Sequence, residues 1–489
     1  MITSKNRDFN DIFAMPILKV VFKNRVFIKV IQLLTLSLFV YAIFLGFKEP
    51  TLENSFTRYL FWGLFWSLFM VVSLVTFGRV FCGICPHGFL GKYITKLGLK
   101  KEMPKFLQNR YIGIMILVIG WWFVYYSFPS FWKTPFNTAL MFTILTLLSV
   151  TLFYLYKDMS YCKFICPIGT LTRAFNKISF TSLKTYSEDC KECKTFECAK
   201  ACSYNLKPFT FEKKNSMEDC SLCMDCSSAC EAVSFKVEKP SNSLFSKFKI
   251  NSAEVWTYIL IIACIPITMS FHHGLNRTNL ANEFIWSKTA AQFEQLFNLQ
   301  GLDTVGMFSF LYALIFSILT VFIGMFLASK LLKSSFNTTL YTLGYAFIPI
   351  FVIGGLAHLL HSFFTHTYAD IANGFIYGFN LDLQKVENLA SRDASWLKIF
   401  SFFPYLAVVW AYLILAKRLK FFEASTLKKV FAFFFASALI SLYLFLNLYR
   451  IYVFNTYGVK EQNHRHQTHT KTVEKQPTVL TTSKEINGH

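Results

Sequence analysis

Residues 190–230 read CKECKTFECAKACSYNLKPFTFEKKNSMEDCSLCMDCSSAC and contain two groups of four cysteines. The first is C-x2-C-x4-C-x3-C (Cys190, Cys193, Cys198, Cys202) and the second is C-x2-C-x2-C-x3-C (Cys220, Cys223, Cys226, Cys230). The second group has the bacterial two-cluster ferredoxin spacing, in which three thiolates from one turn cap three corners of an iron–sulfur cube and the fourth crosses to the other cube. The spacing predicts Cys190, Cys193, Cys198 and Cys230 around one [4Fe-4S] cluster, and Cys220, Cys223, Cys226 and Cys202 around a second. The first group is one residue longer between its second and third cysteines, and Ser203 and Glu231 stand where proline usually follows. Neither departure removes a ligand. A zinc ribbon also uses C-x2-C pairs but gives no reason for the fourth cysteine three residues on. Disulfides do not persist in a reducing compartment.

Outward from this segment the chain is apolar. Over 489 residues it is 54% hydrophobic and 18% aromatic, with a mean hydropathy of +0.41, which excludes an ordinary soluble domain. Apolar runs near the ~20 residues that span hydrocarbon lie at residues 27–47, 60–77, 111–128 and 138–156 before the cysteine segment. After it they lie at 255–271, 307–328, 340–363, 399–416 and 430–449. The expected fold is a polytopic α-helical membrane protein of about nine spans with an inserted cytoplasmic two-cluster ferredoxin-like α+β domain. Its expected parts are a cytoplasmic N-terminus (1–26), a four-helix membrane domain (27–178), the ferredoxin-like domain (179–245), a five-helix membrane domain (252–449) and a disordered external tail (450–489). The first run is too long for a signal peptide and lacks a small-residue cleavage site, so it reads as a retained helix.

The net charge of +21 would point to nucleic acid in a soluble protein. Here the basic residues concentrate in alternate loops, as the positive-inside rule requires. Lys19, Lys23 and Arg25 place the N-terminus in the cytoplasm. Counting spans from there puts Arg79, Lys92, Lys96, the cysteine segment, Lys330, Lys333, Lys417 and Arg418 on the same side. This orientation, in a bacterial inner membrane, leaves the C-terminus external and no role for nucleic acid.

The same count brings two further cysteine pairs to the cytoplasmic membrane edge: Cys82 and Cys85 in GRVFCGICPHG (78–88), and Cys162 and Cys166 in YCKFICPIGT (161–170). Proline after each second cysteine turns the chain there, and Gly83, Gly88 and Gly169 permit close backbone approach. Four thiolates from two related hairpins could hold a third iron–sulfur cluster, a zinc ion or a reversible dithiol pair, and the basic neighbours Arg79, Lys163 and Arg173 would offset their charge.

These two C-P motifs, the hairpins that present them and the following ferredoxin segment resemble the membrane polyferredoxin family that includes NapH, the C-terminal part of NosR and CcoG (RdxA, FixG). The resemblance covers residues 27–239. The family motif is more often C-x3-C-P, as at Cys162 and Cys166, whereas Cys82 and Cys85 are one residue closer. The resemblance implies electron transfer between quinol, iron–sulfur clusters and a respiratory partner, or reduction of a metal during oxidase assembly.

The second half lies outside that resemblance. It carries His272 and His273 after its first span, and His358 and His361 near the outer end of its third, with His366 just beyond. His358 and His361 share a helix face. Intramembrane ionisable residues are functional candidates, and these histidines could ligate haem b or copper, or exchange protons with a quinol; the plainer reading is interfacial hydrogen bonding. Cys264, mid-span, reads as small apolar packing. His464, His466 and His469 lie in the polar tail.

The expected function is therefore that of a membrane-bound electron carrier or oxidoreductase subunit. It would link cytoplasmic [4Fe-4S] clusters, the membrane-edge cysteines and the quinone pool or a respiratory partner. Two alternatives are an assembly factor that reduces copper during cytochrome oxidase maturation and a redox-sensing membrane scaffold. A transporter fits less well, because no paired broken helices or inverted repeat are visible.

Overall fold

The computed structural model describes residues 7–129, 131–132, 134–176, 179–211, 219–238, 242–245, 247, 250–297 and 299–460. The tail after residue 460, with its three histidines, lies outside the described residues.

Eight helices are long and apolar enough to cross a membrane: α1 (Arg25–Lys48), α2 (Ser55–Leu74), α4 (Pro135–Leu155), α5 (Ser252–Arg277), α6 (Thr304–Leu331), α7 (Phe336–Gly378), α8 (Ser395–Leu419) and α9 (Ala438–Tyr457). A shorter apolar helix, α3 (Tyr111–Ser127), occupies the remaining expected position. The set fits a multi-pass membrane protein. Two-thirds of the apolar windows of α5 and α7 are buried, against 22–39% for the other six, so these two spans form the interior and the rest wrap them. Helix starts follow local chemistry. The side chains of Asn24, Thr134, Asn251 and Asp303 accept from first-turn N–H groups of α1, α4, α5 and α6, satisfying donors that have no partner inside a helix.

The boundaries of three spans differ most from the sequence expectation. α5 runs on to Arg277, so His272 and His273 lie within it rather than after it. The helix expected to end near 363 continues to Gly378, because its last turns lie across the start of α2: a Cβ on Gly374 or Gly378 would meet Ser55 or Phe56. The last span begins at Ala438, separated by Ser437 from the preceding helix Thr426–Ala436.

Several spans contain wide i→i+5 turns, at Tyr59–Met70 in α2, Ile116–Phe123 in α3, Ala263–Ile267 and Ser270–Gly274 in α5, and Phe363–Thr367 in α7. Pro266 accounts for one, since it has no N–H to donate and its ring displaces the preceding turn. Such turns recur at functional sites.

The cysteine-rich segment between α4 and α5 forms a small module closed by a two-stranded antiparallel sheet, β1 (Thr181–Thr185) and β2 (Val233–Val237), in register Thr181↔Val237 to Thr185↔Val233. Its core contains Leu183, Phe211, Leu222, Met224, Val233 and Phe235 together with Cys198, Cys220 and Cys226. It also contains Phe13, contributed from the far N-terminal side of α1. The N-terminal segment is strapped to the module: Asp11 accepts from the N–H of Phe235 at 3.2 Å, Arg7 pairs with Asp11 at 2.7 Å, and Arg7, Lys19 and Lys23 all reach Glu231 within 3.1 Å. Glu231, the residue that replaces the usual proline after Cys230, thus anchors the strap.

Burial opposes the charge of Glu231, but hydrogen bonds from Lys23 and Lys19 outweigh it and hold the carboxyl below its usual value. A depressed carboxylate pKa stabilises fully above the unfolded value of about 4.3, and that contribution is lost as pH falls through the lower folded value. Glu231→Gln is therefore expected to speed hydrogen exchange in the helix Pro16–Lys23 at pH 7. The difference from wild type should shrink below about pH 4; equal exchange at pH 7 would show that the ion pairs do not secure the strap.

Candidate functional site

Both C-P motifs build the same local shape. A short helical turn (Val80–Ile84, Tyr161–Ile165) ends at the second cysteine, whose extended ψ (132° for Cys85, 119° for Cys166) lets proline start a new helix, Pro86–Leu97 or Pro167–Phe175. Proline suits that first position, where its missing N–H costs nothing. The glycine of each following turn is required by the fold-back: a Cβ on Gly88 would stand 2.6 Å from the carbonyl oxygen of Cys82, and one on Gly169 would stand 2.5 Å from that of Cys162.

The two turns face each other. Cys82, Cys85, Cys162 and Cys166 line one cavity of about 90 Å³, with Arg79, His87, Trp66 and Trp121 among its walls. The sulfurs are not bare. Cys166 Sγ accepts from the N–H of Gly169 at 3.3 Å, Cys82 Sγ lies 3.3 Å from Thr172 Oγ1, and the Arg79 guanidinium, 1% exposed, reaches Cys82 Sγ at 3.9 Å. Burial pushes the Cys85 thiol up to about 11 and the Cys166 thiol up to about 12. Neutral thiols therefore prevail here unless cationic iron displaces their protons, as metal binding at thiols does.

In the module, Cys202, Cys220, Cys223 and Cys226 line a second, smaller cavity with Leu183, Tyr204, Leu206 and Phe211. Leu222 (φ 54°) and Met224 (φ 62°) are left-handed, an uncommon conformation for residues with side chains. They turn the loop around the cavity so that the Leu222 N–H donates to Cys220 Sγ at 3.4 Å. Such alternation makes a concavity of N–H groups suited to an anion, and a thiolate-ligated cluster is one. Cys190, Cys198 and Cys230 form the other group. Burial pushes the Cys198 thiol up to about 11, with Cys230 and Cys190 adding to it, and Cys190 feels Cys230 and then Cys193. Cys193 is at the surface, its thiol lowered by the N–H groups of Phe196 and Thr195. Cys226 is raised by burial first, then by Cys220, Cys223, Cys202 and also Cys198, so the two groups adjoin.

Module and membrane edge are in direct contact. A Cβ on Gly83, between Cys82 and Cys85, would stand 3.0 Å from the backbone oxygens of Ser221 and Leu222, between Cys220 and Cys223. Tyr204, 2% exposed, walls the second cavity and packs in one buried cluster with Cys162 of the first. Lys92 pairs with Asp225 at 2.6 Å, and Arg110 and Arg173 approach Asp219 at 3.3 and 3.6 Å. Gln32 of α1 donates to the Gly83 carbonyl at 2.8 Å. Sequence reading missed Tyr204, Gln32 and His87. Only His87, which follows Cys85–Pro86 and bonds Thr146 Oγ1 at 2.8 Å, carried a signal in its position.

Among the described residues no three His, Cys, Asp or Glu side chains converge where a single ion could sit. Eight of the thiols line two cavities, four in each, and four thiolates around one volume is the ligand count of a [4Fe-4S] cluster. Of the histidines, His272, His273, His358 and His366 line one cavity at the opposite end of the membrane helices; His361 is not among its lining residues. Cys264 is fully buried.

The family model described as "4Fe-4S binding domain" matches residues 59–104 and 137–184. These are the two hairpins with their C-P motifs. An uncharacterized protein of Methanocaldococcus jannaschii is 31% identical over 186 residues, covering 34% of this chain and 75% of the relative. The chain belongs to this 4Fe-4S binding family. A second uncharacterized protein of M. jannaschii is 30% identical over 184 residues, covering 35% of this chain and 69% of the relative. YccM of Escherichia coli (strain K12), named as a candidate electron transport protein, is 26% identical over 201 residues, 35% of this chain and 55% of its own. No solved structure matches at a significant level. The chain therefore carries a 4Fe-4S binding domain among helices long and apolar enough to cross a membrane.

Proposed function

We propose that the chain relays single electrons along three [4Fe-4S] sites, two in the module and one at the membrane edge, between the cytoplasm and the quinone pool or a respiratory partner. The ligand sets are Cys190, Cys193, Cys198 and Cys230; Cys202, Cys220, Cys223 and Cys226; and Cys82, Cys85, Cys162 and Cys166. The observation that carries this reading is the convergence of all four membrane-edge cysteines on one cavity whose neighbour, Tyr204, also walls the second module cavity. When bound, such a cluster supplies a one-electron couple.

The chain's own residues set the conditions. Arg79 and the N–H of Gly169 place positive charge and a donor on the membrane-edge sulfurs, which favours the reduced, more negative state. Lys92, Arg110 and Arg173 hold the module against the edge through Asp225 and Asp219. The basic residues that share the cysteine side support a cytoplasmic module in a bacterial inner membrane by the positive-inside rule.

Potentiometric titration of full-length protein followed by paramagnetic resonance tests this. Because the three sites adjoin, the reduced protein should give broadened signals from mutually interacting spins. Sharp signals from isolated centres, or zinc in place of iron, would refute the relay.

A further inference from the structure

We propose that the cavity at the end of the membrane helices away from the cysteines binds a quinone or quinol headgroup, and that both membrane halves build it. The inference rests on the electron-relay reading for the source or sink of its electrons. The cavity measures about 460 Å³ and is walled by Trp122, Tyr126 and Trp132 from the first half and His272, His273 and His358 from the second.

Its polar atoms are the reason for the assignment. The Tyr126 hydroxyl, the indole N–H groups of Trp122 and Trp132, and His272 Nδ1 are buried without a hydrogen-bond partner among the described residues. The three aromatic residues are 1, 8 and 7% exposed. Buried donors left unmade are costly and point to a missing acceptor. A flat ring with carbonyl or hydroxyl oxygens supplies acceptors while its faces meet the aromatic walls. An acyl chain would leave the donors unmatched.

The other nitrogen of His272 is held by Asp303, Nε2 to Oδ2 3.1 Å. Asp303 is itself fixed: its N–H donates to the Ser127 carbonyl at 2.8 Å, and its Oδ1 accepts from the Gly306 N–H at 2.7 Å. With Nε2 held by the carboxylate, Nδ1 is the nitrogen left to exchange a proton with a group beside it. The wide turns in α2, α3, α5 and α7 supply residues of this wall. Trp66 and Trp121, with ring centroids 4.4 Å apart, wall both this cavity and the membrane-edge cysteine cavity.

A quinol here gives up two electrons and two protons and becomes quinone. The electrons leave one at a time past Trp66 and Trp121 toward the cysteine cavity. The protons leave in turn through His272 and Asp303. Quinone reduction is the same exchange reversed.

The test uses full-length protein in nanodiscs without oxygen, with a short-chain benzoquinone and a short-chain naphthoquinone as probes. Equilibrium dialysis should find binding that Tyr126→Phe weakens at least tenfold. Asp303→Asn, which keeps a capping acceptor for Gly306, should leave binding intact but slow quinol-driven reduction of the iron signal at least tenfold. Dithionite reduction should be unchanged in both. No binding by wild type, wild-type behaviour of both variants, or a Soret band assigning the cavity to haem would overturn the proposal. If binding depends on Tyr126 but dithionite raises no iron signal, the pocket stands and the relay falls.

Discussion

Protein purified without oxygen is expected to carry about twelve irons per chain, falling to about eight when Cys82 and Cys162 are both changed to serine. The size of the drop follows from where these sulfurs sit. The two changes take one ligand from each C-P turn, and the remaining pair, Cys85 and Cys166, are thiols that burial pushes up to about 11 and about 12. Two thiols, one on each turn, supply only half of the four ligands that a [4Fe-4S] cluster takes. None of the module's eight cysteines lines the membrane-edge cavity, and four of them line one of their own, where the Leu222 N–H donates to Cys220, so the module's paramagnetic signals should survive. Chemical iron assay alongside resonance of the reduced sample reads both quantities. About eight irons in the wild type, unchanged in the variant, would mean that the membrane-edge cysteines hold no cluster.

The second large effect concerns two residues without side chains. Gly88→Ala and Gly169→Ala would each push a methyl group to within 2.6 or 2.5 Å of the carbonyl oxygen of Cys82 or Cys162. Backbone cannot swing aside as the tip of a long side chain can. Ordinary overpacking costs about 1–3 kcal/mol, and here the strain falls on the peptide that positions a ligand. Each change should remove about four irons while leaving the module signals in place. Gly120→Ala is the control, because its Cβ would meet only Ile116 Cγ2 at 3.9 Å and alanine favours the helix. Full iron content in both test variants would show that the turns tolerate being opened.

Much of the architecture was legible because its signals are local. Apolar runs near the length of a bilayer need no knowledge of packing, and cysteine spacing is a property of one turn. The cysteines of the C-P motifs could be named, but not their meeting, since residues 82 and 162 are brought together only by the hairpins between them. What escaped notice is what depends on distant partners. Tyr204 looks like any tyrosine until Cys162 is beside it. Asp303 reads as a helix cap, which it is, and its hold on His272 appears only when α5 and α6 are packed. The extension of α7 to Gly378 was hidden because His366, Asp370, Asn373 and Gly374 interrupt the apolar run, whereas the helix packs across Ser55–Arg58.

The strap formed by Phe13 and Asp11 has a consequence for how the molecule is made. Asp11 meets Phe235 across 224 positions of chain, and between them lie the first four apolar helices. On the ribosome, the segment around Phe13 emerges early and must wait, unpaired, while both hairpins are inserted and the cysteine-rich stretch is synthesised. Only then can β2 receive it. If the module holds clusters as proposed, its retention of iron would wait on insertion of both hairpins, because the fold that encloses its cysteines closes only when the strap pairs with β2.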